Sequence, residues 1–479
     1  MSNIDMKESK IKQDSEKVYD EYREQMDMFE GSLYAKAKGG IDHYDVWALG
    51  EQLNQFKDLV EICEADGNTN QLGKLPLIGF NVITAVQGQS ILGSIAATQP
   101  IQEEKGIVWY KTVRATDTKG NNTANDVLVD PRSTIKTSEG YSSNFISGEE
   151  GADTGGTPTT TYGFTLAAKP IRSETLKITV EDDATVWCKD VGAAEGSNGT
   201  VGQLLGIGLS GTVNYVTGVV ALTFAVAPAA NKKVYAEYQQ NLELADDLPQ
   251  IHTYYDSTTV QAYVYALKSV WGALQNYSMR KRFGTSIESS ASTDLTVEIN
   301  RELAGDAIRK LLAAAKGETI WYKTPPSAIS YRDHKDTFFD SLADAEAIMV
   351  GNGGRGVIST MIVGRELAAV IGTLAGFTKL SDGTTLGSHI YGTLNGITIV
   401  RVNEQAVLDS KTGLCVWRPS NPWEGALVYC PYMPLVTSEV IPLGPNPMSD
   451  QKWAGVWAGM KVMNDNFVTK FTLNLGAKP

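Results

Sequence analysis

Cysteine and histidine are scarce in this chain, with four of each in 479 residues. Cys63, Cys188, Cys415 and Cys430 lie far apart and form no CxxC pair, which excludes a disulfide framework or a cysteine metal site. Reduced thiols are expected, and Cys415 with Cys430 is the one pair close enough in sequence to consider for contact. His43, His252, His334 and His389 fall in four separate regions, none with a second ligand at metal spacing. His334, flanked by charges in YRDHKD, is expected at the solvated surface. Positive charge is also in deficit: the net charge is −13. That excludes a sequence-reading nucleic-acid binder, which needs a basic stripe to neutralise phosphates. An acidic wall around nucleic acid stays open, because container and contents need not stick. No apolar run approaches the length of a membrane span, and the polar N-terminus MSNIDMKESKIKQ is unlike a signal peptide. A chain made in the cytosol, with no membrane partner, is expected.

What is present suffices for folding. The apolar and charged fractions, 42% and 20%, are close to globular averages, and the length allows two or three cores. The most ordered pattern runs from Thr285 to Gly317. Ile287, Ala291, Leu295, Ile299 and Leu303 recur every fourth residue, and Ala307 and Leu311 continue the stripe. Thr285 with Glu288 reads as a capping box, Asp306 precedes Lys310 by one turn, and Gly317 is a natural stop. One amphipathic helix of about eight turns is predicted over 285–316. Such a helix needs something broad to lie against.

Residues 1–74 begin with a charged tract and continue with Val46, Leu49, Leu53, Phe56 and Val60 at helical spacing. An arm this polar cannot build its own core, so it should pack on another domain or another subunit; the alternative is a partly disordered tail. From Leu75 to Val113 the character changes to strands, and Arg114–Thr161 reads as a long exposed loop. A compact all-β pattern fills 163–243: Leu176, Ile178 and Val180 alternate with polar residues. GTVNYVTGVVALTF holds two strands around Val216-Thr217-Gly218, and Val234, Ala236 and Tyr238 share a face. This is expected to be an inserted, sandwich-like module. After it come a strand, a short helical piece (VWGALQNYSMRKRF) and the long helix. A second helix follows, with Phe338, Leu342, Ala345 and Met349 on one side. VISTMIVG then reads as a strand, RELAAVIGTLAG as a helix, and Asn395-Gly396 as a hairpin turn before a strand-rich end.

No catalytic, cofactor or metal constellation emerges. Gly351-Asn352-Gly353-Gly354-Arg355-Gly356 has GxGxxG spacing, but it follows a helix and precedes a strand, the reverse of a phosphate cradle. The glycine-rich stretch from Gly202 lacks the Lys-Ser/Thr ending of a P-loop. Trp187, Tyr215 and Tyr235 make a thin case for a glycan platform, and core packing explains them better. Arg280-Lys281-Arg282 is a basic cluster in an acidic chain, either a solvated helix end or an ion-pairing contact between subunits.

The order of these parts resembles the HK97-like fold of tailed-phage major capsid proteins, and within it the T-even, myovirus-type branch. The resemblance rests on IGFNVITAVQGQSILGSIAAT, where Gly88 stands in place of an expected proline, and on YALKSVWGALQNY with TVEINRE. It also rests on VISTMIVGRELAAVI, LNGITIVRVNEQA and ALVYCPYMPL. These segments cover about half of the chain, and their shared order makes the match persuasive.

The resemblance implies an α+β subunit divided into a helical arm (1–74), an extended loop with the start of a peripheral domain (75–162) and the inserted β module (163–243). After these would come the loop's return with the spine helix (244–350), an axial domain (351–435) and C-terminal strands (436–479). The module would sit on the extended loop, facing outward. It further implies a non-enzymatic shell protein, without cofactor, that assembles in the host bacterial cytoplasm into hexamers and pentamers around double-stranded DNA. Scaffold, portal and decoration proteins are the other implied partners. Members often lose their N-terminal segment to a protease cutting after Ile/Leu-x-Glu, and Ile62-Cys63-Glu64 fits that pattern. The rival readings are an encapsulin-type nanocompartment shell and, from another class, a glycan-binding β-module protein.

Overall fold

The computed structural model describes residues 3–65, 83–84, 88, 90–119, 122–129, 141–155, 158–245, 248–326, 329–381, 387–419, 421–444 and 446–477. Two compact units emerge, one built chiefly from Met1–Lys111 and Tyr255–Pro479, the other from Thr112–Asp130 and Ile135–Tyr254.

The first unit opens with four helices, α1 (Asn3–Glu21), α2 (Arg23–Glu30), α3 (Leu33–Lys38) and α4 (His43–Ala65). Val18, Met26, Phe29, Leu49, Leu53 and Phe56 are buried in the same core as Leu295, Ile299 and Leu303. The arm therefore packs on its own unit. Gly50 permits this closeness, since a Cβ there would come within 2.3 Å of Val18 Cγ1. Gly88, at the expected proline, is equally confined: a Cβ would lie 2.6 Å from that of Ser32.

Of the strands expected from Leu75, KGIVWYKTV is one, and much of the stretch before it lies outside the described residues. Leu75–Asn81 lies outside them, Leu92–Ile95 is helical, and strands appear only at Ala97–Thr98 and Lys105–Ala115. The run ILGSIAA looks strand-like because it is apolar, but it is short and wholly buried, and periodicity cannot decide such a run.

Helix α5 (Ala273–Phe283) leads into the long helix α6 (Ile287–Ala314). Ala291, Leu295, Ile299, Leu303, Ala307 and Leu311 are all buried, as the fourfold spacing required. The details at its ends differ from expectation. Ser286, in extended backbone, is the cap and accepts from the Ser289 N–H, so Thr285 is left outside. Asp306 pairs with Arg309 at 2.5 Å and accepts from the Tyr265 hydroxyl at 2.9 Å, while Lys310 donates to the Met460 carbonyl. The helix ends before Ala315; Gly317, at φ +79°, instead turns the chain into the strand Glu318–Thr324.

The broad surface under α6 is a five-stranded sheet ordered Ala97–Thr98, Leu427–Thr437, Asn446–Val462 and Tyr263–Gly272, with Ile441–Leu443 added beside Asn446–Val462. A seven-stranded mixed sheet carries helix α7 (Thr337–Gly353), and α8 (Arg365–Ile371) follows its Thr360–Gly364 strand. Phe338, Leu342, Ala345 and Met349 are buried. Asn395 and Gly396, both at positive φ, turn His389–Leu394 back into Ile397–Val402.

The second unit begins earlier than position 163. Val127–Val129 and Phe145–Asp153, within the expected loop, are strands, and the latter joins the module's sheet. That sheet has eight strands in one continuous antiparallel path, where the spacing suggested two stacked sheets. It curls until its edges meet, leaving Gly151 no room for a side chain against the Phe164 ring. Ile178, Val213, Val220, Val234, Ala236 and Tyr238 fill its own separate core. Inside, the Asp190 carboxylate accepts from the Tyr215 hydroxyl at 2.8 Å and from the Glu174 and Gly192 N–H groups.

Candidate assembly surface

The arm is joined to its unit by a buried ion network. Asp45, on α4, accepts from the Tyr34 hydroxyl at 2.8 Å, from Lys38 and from Arg418 at 3.2 Å. Arg418 also donates to the Ala96 carbonyl at 3.0 Å, and its guanidinium lies 5.8 Å from the Tyr34 ring centre. Burial alone would raise the Asp45 carboxyl, but Arg418 and Lys38 outweigh it and hold the group below the ordinary carboxylate range. The sequence reading missed this network, because its members are spread from position 34 to position 418.

Helix α5 is the opposite case, with no buried residue. Leu274, Tyr277 and Phe283 are 70%, 63% and 68% exposed. Arg280, Lys281 and Arg282 occupy its last turn, where cations suit the helix dipole, and Lys281 lies 5.7 Å from the Tyr277 ring centre. None of the three has a carboxylate partner among the described residues. The Asn276 side chain accepts from the Ile287 N–H at 3.1 Å, fixing α5 to the start of α6. Exposed apolar side chains thus stand beside cations with no carboxylate partner among the described residues.

The remaining candidate residues scatter. Ile62 is exposed in the last turn of α4, and the Glu64 side chain lies outside the described residues. His334 is buried, contrary to expectation: it stacks on Trp321 at 5.4 Å and donates from Nε2 to the Tyr322 carbonyl at 2.6 Å. Its charged neighbours point elsewhere, which adjacency in sequence cannot reveal. Tyr215 belongs to a core, but Trp187 and Tyr235 do not; both are half-buried on the outer face of the second unit's sheet. Cys415 and Cys430 belong to different sheets and form no disulfide; burial pushes each thiol, and that of Cys188, up to about 12. The GxGxxG stretch is the end of α7, and Gly354 at φ +67° caps it. Among the described residues no group of His, Cys, Asp and Glu is arranged to hold a metal ion. No described helix is long and apolar enough to cross a membrane.

The family model described as major capsid protein Gp23 matches residues 76–456, about four fifths of the chain, and the chain belongs to that family. It is a structural capsid protein of tailed phages, and its α+β architecture is the one the resemblance implied. No curated protein matches it. Among solved structures it is similar to the jumbo bacteriophage PhiKZ capsid at 10% identity, covering 80% of this chain and 92% of that one, with a TM-score of 0.36. It is also similar to the capsid of Myoviridae phage XM1 at 11% identity, with coverage of 67% and 87% and a TM-score of 0.31. A virus-like particle from Pyrococcus furiosus matches at 12% identity, with coverage of 45% and 79% and a TM-score of 0.29.

Proposed function

We propose that this chain forms hexamers and pentamers that close into an icosahedral shell around double-stranded DNA. Assembly would take place in the cytoplasm of the host bacterium, with scaffold, portal and decoration proteins as further partners and no catalytic role for the chain itself. The family match over residues 76–456 carries this reading. The net charge of −13 suits a wall that holds DNA without gripping it. In this reading α6 is the spine of a peripheral domain and residues 351–435 form the axial domain.

The arm is the segment we propose to be cut after Glu64. Ile62-Cys63-Glu64 lies in the last turn of α4, Ile62 is exposed, and the family match starts shortly beyond it. Removing α1–α4 would uncover core side chains such as Leu427 and Tyr429 on the strand that α4 packs on, so cleavage would have to accompany repacking. The test is light scattering with negative-stain microscopy of the purified full-length chain. Hexamers, or closed shells tens of nanometres wide, are expected; a monomer that stays monomeric when concentrated with crowding agents would overturn the reading. Nucleic-acid filling of particles made in infected cells separates a phage head from an enzyme-filled nanocompartment. Intact mass from mature particles should show loss of the first 64 residues, and a full-length chain there would remove the cleavage proposal.

A further inference from the structure

Three adjacent unpaired cations are an anomaly in a chain of net charge −13. At about 100° per residue, α5 turns Leu274, Tyr277 and Lys281 directly outward, with Arg280 and Arg282 on the flanks and half-buried Asn276 and Met279 beneath. The outward side is thus apolar at its centre and positive around it.

Helix α7 carries the inverse pattern. Asp336, just before its first residue, and Asp340 and Asp344 are exposed at four-residue spacing, a stripe about 12 Å long. Ala343, Ala347 and Val350 lie on the same exposed face, opposite the buried Phe338, Leu342, Ala345 and Met349. None of the three carboxylates has a cation partner among the described residues. Three like charges left unpaired along one helix face repel one another, and a cationic partner would relieve them.

The two faces stand at opposite ends of one rod within the first unit. Asn276 fixes α5 to the first residue of α6. At the other end α7 packs against the turn that follows α6, where a Cβ on Gly317 would meet Ile348 at 2.6 Å. The 28 residues of α6 separate those ends by about 42 Å, far beyond the reach of an arginine side chain. The complementary faces cannot satisfy each other within one copy.

We propose that α5 of one copy docks on the acidic face of α7 in a second copy. Lys281, Arg280 and Arg282 pair with Asp340 and Asp344 around a centre where Leu274 and Tyr277 meet Ala343, Ala347 and Val350. Such a head-to-tail contact is heterologous, and repeated by rotation it closes into a ring. The apolar centre favours a protein partner over a nucleic-acid backbone, and the charges set register and encounter rate. This inference rests on the self-assembly proposed above and names which surfaces carry it.

The test is a charge swap in the full-length chain. One variant carries Arg280→Glu, Lys281→Glu and Arg282→Glu; a second carries Asp340→Lys and Asp344→Lys; a third carries all five changes. Thermal melting by circular dichroism reports folding, and Arg→Gln and Asp→Asn versions serve if a reversal proves insoluble. Each reversal alone should raise the concentration needed for assembly at least about tenfold, and the five-fold variant should return it to within about threefold of the natural chain. The proposal is overturned if either reversal assembles normally, or if the combined variant is no better than the worse single set. An effect of the α5 changes alone would point to another occupant, nucleic acid included. A natural chain that never assembles would instead defeat the capsid reading itself.

Discussion

The Asp45 carboxylate shows how one residue can hold a long segment in place. Its side chain is 7% exposed and that of Arg418 10%, so neither charge is screened by solvent. Breaking such a pair leaves an uncompensated buried charge, at a cost of about 3–5 kcal/mol. Asp45→Ala should therefore destabilise the first unit by about that amount in urea unfolding; a loss below about 1 kcal/mol would mean the pair contributes little. The pH dependence follows from the direction of the shift. With the folded pKa below the unfolded value near 4, the contribution is complete above about pH 4 and is lost as pH falls through the folded pKa. In Asp45→Ala this acid-dependent component should disappear. None of this was legible in the sequence, where charged residues at 38, 45 and 418 look like ordinary surface. The burial of His334 stayed hidden for the same reason. Charge type is visible in a sequence, but the direction a side chain faces depends on what packs over it.

Elements were more legible than residues wherever the period was long. Seven apolar positions recurring through α6 specified a stripe that the fold buries almost throughout, and four positions did the same for α7. Caps were less so, since Thr285 and Ser286 are chemically equivalent candidates and only the backbone turn chooses between them. Ile299, at the middle of α6, is 0% exposed, as are Ala307 and Leu311 further along the stripe. Ile299→Ala should cost about 2–5 kcal/mol, measured as a lowered urea midpoint with unchanged slope. Leu274→Ala on α5, 70% exposed, should leave the isolated subunit's stability within about 0.5 kcal/mol. Its effect, if α5 docks as proposed, should appear only in assembly. The basic cluster on α5 was visible from the start; its acidic counterpart on α7 was not, because carboxylates at that spacing are common on solvated helix faces.

At the scale of the whole molecule, each unit has its own hydrophobic core. Two cores that share no cluster should melt separately, so calorimetry is expected to show two transitions rather than one. Asp190→Ala would strand the Tyr215 hydroxyl and two backbone N–H groups in the interior, and should lower only the transition of the second unit. A single transition that moves as a whole would show that the units unfold together. The existence of an inserted β module was readable from alternating residues and turn signals. Its true start was not, because Phe145–Asp153 has the Gly and Ser content of a loop and becomes a strand only by pairing with Lys233–Gln239.

The burial of α4 against the strand Leu427–Thr437 carries a consequence for synthesis. That helix leaves the ribosome well before the strand it packs on, which follows about 370 residues after Leu53 and Phe56. At about 5–20 residues per second the nascent arm waits roughly 18–74 s with sticky faces bare. The second unit, made in that interval from contiguous neighbours, can fold while the arm waits. A chain arranged this way depends during translation on whatever shields its first sixty residues, and overproduction without enough chaperone should yield aggregates nucleated by the arm.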